Sequence, residues 1–122
     1  MATLRWLVPC PRLFWGAVVV VFILALVPMP QWPEAPWSLS DKAEHALVFA
    51  GLWLLGRKAY PHTSNHLLAA GILAYGLAIE GAQGLTWWRK AEWADLTADA
   101  IGVAAAMILW QLWVFTRQRV AR

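Results

Sequence analysis

Residues 13–27 read LFWGAVVVVFILALV, an unbroken apolar run that ends at Pro28 and Pro30. Proline offers no backbone N–H to a helical ladder, so the run predicts a helix that stops there. About 20 mostly apolar residues cross the hydrocarbon layer as a helix, which makes residues 12–29 a membrane span. Arg5 and Arg12 ahead of the run imitate a signal peptide, but no A-x-A-like cleavage site follows, so the segment is expected to stay as an anchor.

Three more spans follow along the chain, at about residues 41–60, 66–85 and 95–116. The second begins near Ser40 or Asp41 and stops before Pro61. Arg57 and Lys58 near its end can extend their methylene stems and keep their charges among head groups. The third opens at Asn65 or His66 and is rich in small residues, among them Ala69, Ala70, Gly71 and Gly76, which predicts close helix contacts and the inner place in a bundle. The fourth is closed by Arg117, Arg119 and Arg122. Between spans lie two Trp-rich links, residues 31–37 and 86–94, whose rings suit the head-group level.

Composition agrees with this division. Of 122 residues, 61% are hydrophobic and 14% charged, against about a quarter charged in soluble domains. The chain reads as one integral membrane domain over residues 1–122, an all-α bundle of four transmembrane helices with no repeat or low-complexity tract. The net charge of +3 does not point to nucleic acid, because the basic residues fall in small groups beside apolar runs and form no stripe. The single cysteine, Cys10, has no partner for an internal disulfide and lacks the small residues that precede a lipid-attachment cysteine.

Arg5, Arg12, Arg57, Lys58, Arg117, Arg119 and Arg122 place seven of the ten basic residues on one side, which the positive-inside rule assigns to the cytoplasm together with both termini. The other side takes Lys42, Arg89 and Lys90 with all seven carboxylates, Glu34, Asp41, Glu44, Glu80, Glu92, Asp95 and Asp99. The positive-inside rule says little about acids, so chance, helix capping or a site must explain that gathering.

Several of these residues have the types and spacing of a site. Asp41 and His45 are four apart on one helical face, where a carboxylate can fix the ring tautomer for a general base or a metal ligand. Asp41 and Glu44 also read as a capping-box-like pair, and a hydrogen-bonded interfacial role for His45 stays open. Glu80 lies inside the third span, where an unpaired acid costs about 2.5–3.5 kcal/mol near the centre and less toward the interface. It is expected to be protonated, paired with Arg89 or Lys42, or set in a wet cavity, with Gln83 sharing its face. Arg89, Glu92, Asp95 and Asp99 then run into the fourth span as one polar stripe, continued by Gly102 and Ala106 as a small-xxx-small contact. Asp95, in the first turn of that helix, is also explained by the dipole alone.

Asp41-Lys42-x-x-His45-x-x-x-Phe49, Glu80-x-x-Gln83 and Arg89-x-x-Glu92-x-x-Asp95-x-x-x-Asp99-x-x-Gly102 resemble, in order and spacing, the VanZ-like family, named for an accessory protein of teicoplanin resistance. The resemblance covers about residues 41–106, with one departure: the family more often has Asn where this chain has Asp99. It implies a bacterial cell-envelope protein of the cytoplasmic membrane, contributing to glycopeptide resistance, and it supplies no reaction.

Three functions compete on this footing. The leading expectation is a protein that binds or remodels an envelope lipid or lipid-linked precursor through an extracytoplasmic polar pocket of Asp41, Lys42, His45, Glu80, Gln83, Arg89, Asp95 and Asp99, without a metal or cofactor. Lys42 and Arg89 would contact phosphate or carboxylate. The second is an intramembrane hydrolase of a lipid head group, with His45 and Glu80 as acid and base or with His45, Glu80, Asp95 and Asp99 around a metal. The third is a structural subunit in which the polar cluster fastens helices and a membrane partner does the work.

Overall fold

The structure, a computed structural model, describes residues 10–28 and 41–122. Among the described residues there are four helices and no strand: α1 Pro11–Leu26, α2 Asp41–Ala59, α3 Asn65–Gly84 and α4 Trp93–Val120. The link at residues 31–37 with Glu34, and the basic Arg5, lie outside the described residues.

Local chemistry sets the helix ends. Pro11 opens α1 where its missing N–H costs nothing, and Val27 is extended because the following Pro28 disfavours the helical region. Ser64 caps α3 by accepting from the Leu67 amide at 3.1 Å. α4 starts two residues before the expected Asp95 and runs four past the expected Thr116. The extension carries Arg117 and Arg119 on the helix, each stacked 4.5 Å from the centre of an aromatic ring, Trp113 and Phe115, so that neither charge is buried.

The helices alternate in direction. Trp15 of α1 donates to the Tyr60 hydroxyl just past α2 at 2.7 Å, and Arg57 of α2 donates to Asn65 at the start of α3. At the opposite end Gln83 of α3 reaches the Ala25 carbonyl of α1, and His45 of α2 meets Asp99 of α4. The six described carboxylates, Asp41, Glu44, Glu80, Glu92, Asp95 and Asp99, therefore gather at this second end.

Among the described residues α2 and α3 each pack against all three other helices, and the interface of α2 with α4 is the most extensive. Gly102 of α4 makes that closeness possible: a β-carbon there would collide with the Ala46 carbonyl and come within 2.8 Å of its α-carbon. Gly71 and Gly81 of α3, by contrast, face open space. The core between the helices holds Phe49, Leu52, Trp53, Ile72, Ile79 and Val103, with Trp53 fully buried.

Outward faces are apolar as well. Val19, Ile23, Leu47, Leu67, Ile101 and Leu109 are each more than half exposed. α3 and α4 are long and apolar enough to cross a membrane; α1 is apolar over 16 residues, and α2 is charged at both ends.

Candidate functional site

Helix termini leave backbone groups without intrahelical partners, and much of the acidic end is organised around that need. The last carbonyls of α1 are taken by side chains from α3 and the loop after it. Gln83 Nε2 donates to the Ala25 carbonyl at 2.9 Å, Trp88 Nε1 to Leu26 at 2.8 Å, and Arg89 to Leu24 and Val27 at 3.3 and 3.1 Å. A guanidinium at a helix C-terminus also opposes the negative end of the dipole.

Glu80 does the converse for α4. Its Oε2 accepts from the Glu92 amide at 2.8 Å, at the N-terminus of a helix whose cap residue supplies no side-chain bond of its own. Of the alternatives open for Glu80, the ion pair with Arg89 or Lys42 does not form, because Arg89 is committed to α1 and Lys42 to other acids. Glu80 is 6% exposed, and its Oε1 has no partner.

Lys42 sits among Asp41, Glu92 and Asp95. Its ammonium is 3.5 Å from Asp41 and 2.8 Å from Glu92, and it bonds Asp95 directly. Asp95 is buried, so this pairing neutralises a charge that water does not reach.

His45 is held from α4. Its Nδ1 is 3.0 Å from Asp99 Oδ1, and its Nε2 is 3.7 Å from Asp95 Oδ2. The carboxylate that orients the ring is thus Asp99, across the helix interface, and not Asp41 one turn away as the spacing suggested. Asp99 is 1% exposed and packs against α3 where Gly76 has no side chain: a β-carbon there would lie 3.0 Å from Asp99 Oδ2. In the tautomer that donates Nδ1–H to Asp99, Nε2, 3.7 Å from Asp95, is the ring atom that can take a ligand.

Of the expected site residues, five border one open cavity of about 380 Å³ between α1, α2 and α3: Asp41, His45, Gln83, Arg89 and Asp99. Glu44 joins them, a residue the sequence had assigned to a cap, and Val21, Leu24, Val48, Phe49 and Ile79 supply apolar walls. Its size falls in the range that takes small ligands, ~300–1,000 Å³. Glu80 lies elsewhere, beside Glu92 and Trp93 on a separate cavity, so the structure does not bring His45 and Glu80 together as an acid and base around one space. Gln83 is 5% exposed, and because its nitrogen is fixed on Ala25, its Oε1 is the atom without a partner.

The metal set named from sequence is also redrawn. Asp41, His45 and Asp95 can each place one ligand atom within 4.8 Å of the others, whereas Glu80 is not in the group. Nδ1 held by a carboxylate with Nε2 free is the usual state of a metal-binding imidazole. A divalent ion would, however, compete with Lys42 for Asp95.

No protein-family model, curated protein or solved structure matches the chain.

Proposed function

We propose that the chain is a VanZ-like integral membrane protein of the bacterial cell envelope. All four helices cross the cytoplasmic membrane, both termini are cytoplasmic, and the cavity beside His45 opens on the extracytoplasmic side. The apolar outer faces of α1, α3 and α4 support this, since soluble monomers rarely expose so many large apolar side chains together. α2 fits because its acids stand at one end and Arg57 and Lys58 at the other.

The cavity binds an envelope lipid or lipid-linked precursor by its head group, and in doing so contributes to tolerance of teicoplanin-like antibiotics. One observation carries the chemistry: the cations are spent and the acceptors are not. Lys42 is neutralised by carboxylates, Asp41 among them, and Arg89 caps α1, while Glu44, the exposed Asp41 and Gln83, whose buried Oε1 has no partner, line the same cavity. A buried acceptor without a donor is costly, so the head group that fits is one that donates, an ammonium or hydroxyl-rich group, in place of the phosphate or carboxylate contacts expected of Lys42 and Arg89. Expression in a teicoplanin-sensitive host tests the phenotype. Wild type should raise tolerance and Asp41→Asn with Gln83→Leu should remove that gain at equal protein level; tolerance unaffected by either chain would reject it.

A second reading rests on the Asp41, His45 and Asp95 group, which could hold a divalent ion and activate water on a lipid ester or phosphate. Metal analysis of the purified chain decides it, because absence of stoichiometric metal from protein prepared without chelator would remove this reading.

A further inference from the structure

The end of the bundle away from the carboxylates holds a feature that the proposed function does not use. Arg57, in the last turn of α2, is 6% exposed. Its guanidinium donates to Asn65 Oδ1 at 2.6 Å and to the Tyr60 carbonyl at 2.8 Å, both neutral acceptors. Among the described residues no carboxylate lies within ion-pair distance of it. Asp41, on the same helix, is about 24 Å away along the axis. A buried cation satisfied by dipoles alone keeps an uncompensated charge, and that is unfavourable.

Arg57 is also one wall of an open cavity of about 420 Å³, shared with Lys58, Thr63, Ser64, Asn65 and Trp110. No acid lines it. Ser64 is the cap of α3, so the positive end of that helix dipole adds to the two side-chain cations. A planar guanidinium fork matches phosphate oxygens, an ammonium beside it adds a second charge, and an indole gives the cavity one amphipathic side of the kind found at head-group depth.

We propose that this cavity is a phosphate-binding site built from Arg57, Lys58 and the N-terminus of α3, taking the phosphate of an anionic lipid head group or a soluble phosphate. Basic pockets between membrane helices on the cytoplasmic side recognise anionic head groups in this way. The bound anion supplies the counter-charge that the fold withholds from Arg57. The site lies at the opposite end from His45 and stands independently of the function proposed there.

Calorimetric titration of the purified full chain in chloride buffer tests it, with inorganic phosphate, short-chain phosphatidylglycerol and short-chain phosphatidylcholine as separate probes. Saturable binding of phosphate or phosphatidylglycerol, tighter than phosphatidylcholine, is expected. Binding of the lipid alone identifies a lipid head group as the source; binding of inorganic phosphate identifies a soluble one. Lys58→Gln, at an exposed position, should weaken binding about tenfold, the loss of one charge-assisted contact. Arg57→Gln should abolish it, while Arg119→Gln, a basic residue off the cavity, should leave it within about twofold. Absence of binding to both anions overturns the site. So does a loss on Arg119→Gln equal to that on Lys58→Gln, which would indicate general attraction to a basic surface.

Discussion

His45 Nδ1 and Asp99 Oδ1 stand 3.0 Å apart across the α2–α4 interface, with Asp99 almost wholly out of water. Removing one partner of such a pair leaves the other buried and unsatisfied. His45→Ala is therefore expected to destabilise the chain by about 3 kcal/mol, whereas Asp99→Asn, which keeps an acceptor for the ring, should cost only about 1 kcal/mol. Denaturant unfolding in detergent checks the order. Equal losses for the two variants would mean that the ring is not held by this bond.

Glu80 and Arg89 are helix-end residues in this structure, and their variants should separate geometry from charge. Glu80→Gln retains an acceptor for the Glu92 amide and should lose about 1 kcal/mol or less; Glu80→Leu should lose about 2 kcal/mol. Arg89 holds the Leu24 and Val27 carbonyls from a single nitrogen, Nη2, so Arg89→Ala should leave both without that donor and quicken amide exchange in the last turn of α1. If Glu80→Gln abolished antibiotic tolerance at normal protein level, Glu80 would belong to the ligand and not to the fold.

Gly102→Val should be among the most damaging single changes. Ala46 occupies the space into which any side chain would project, so α2 and α4 must separate and carry His45 away from Asp99. A loss of about 3 kcal/mol or more is expected, beyond ordinary overpacking of about 1–3 kcal/mol. Gly81→Ala, facing open space, serves as the contrast and should be neutral or slightly stabilising. Measured accumulation of the two variants decides the matter.

Cys10 provides a topology probe already present in the chain, since it is exposed at the start of α1. With a cytoplasmic N-terminus, a membrane-impermeant maleimide should label it in inverted vesicles and not in intact cells. Lys90→Cys placed in a Cys10→Ser background should show the reverse. Labelling of both positions from the same side would refute the alternating four-span arrangement.

Much of the bundle was legible because its signals are local. Pro28 and Pro61 mark where helices stop, the third helix opens at Asn65 as expected, and the six described carboxylates gather at one end as their positions implied. Partners were less legible. Lys42 and Arg89 read as ligand contacts or as partners of Glu80, but Lys42 is taken by Asp41, Glu92 and Asp95 and Arg89 by backbone carbonyls at the end of α1, and a carbonyl leaves no mark in sequence. Small residues pointed to close contacts on α3, and whether a glycine faces a neighbour decides each case: Gly76 of α3 and Gly102 of α4 do, Gly71 does not. The burial of Arg57 was hidden by its place in a basic pair that topology alone explained.

The cavity beside His45 is most directly tested by native mass spectrometry of the chain released from bilayers of mixed phosphatidylethanolamine and phosphatidylcholine. These head groups share a phosphate and a positive nitrogen, but only ethanolamine offers N–H donors to Asp41, Glu44 and the Gln83 oxygen. Preferential retention of phosphatidylethanolamine, lost on Asp41→Asn with Gln83→Leu, is the expected result. Equal retention of the two lipids, or a preference untouched by those substitutions, would contradict a donor-binding cavity.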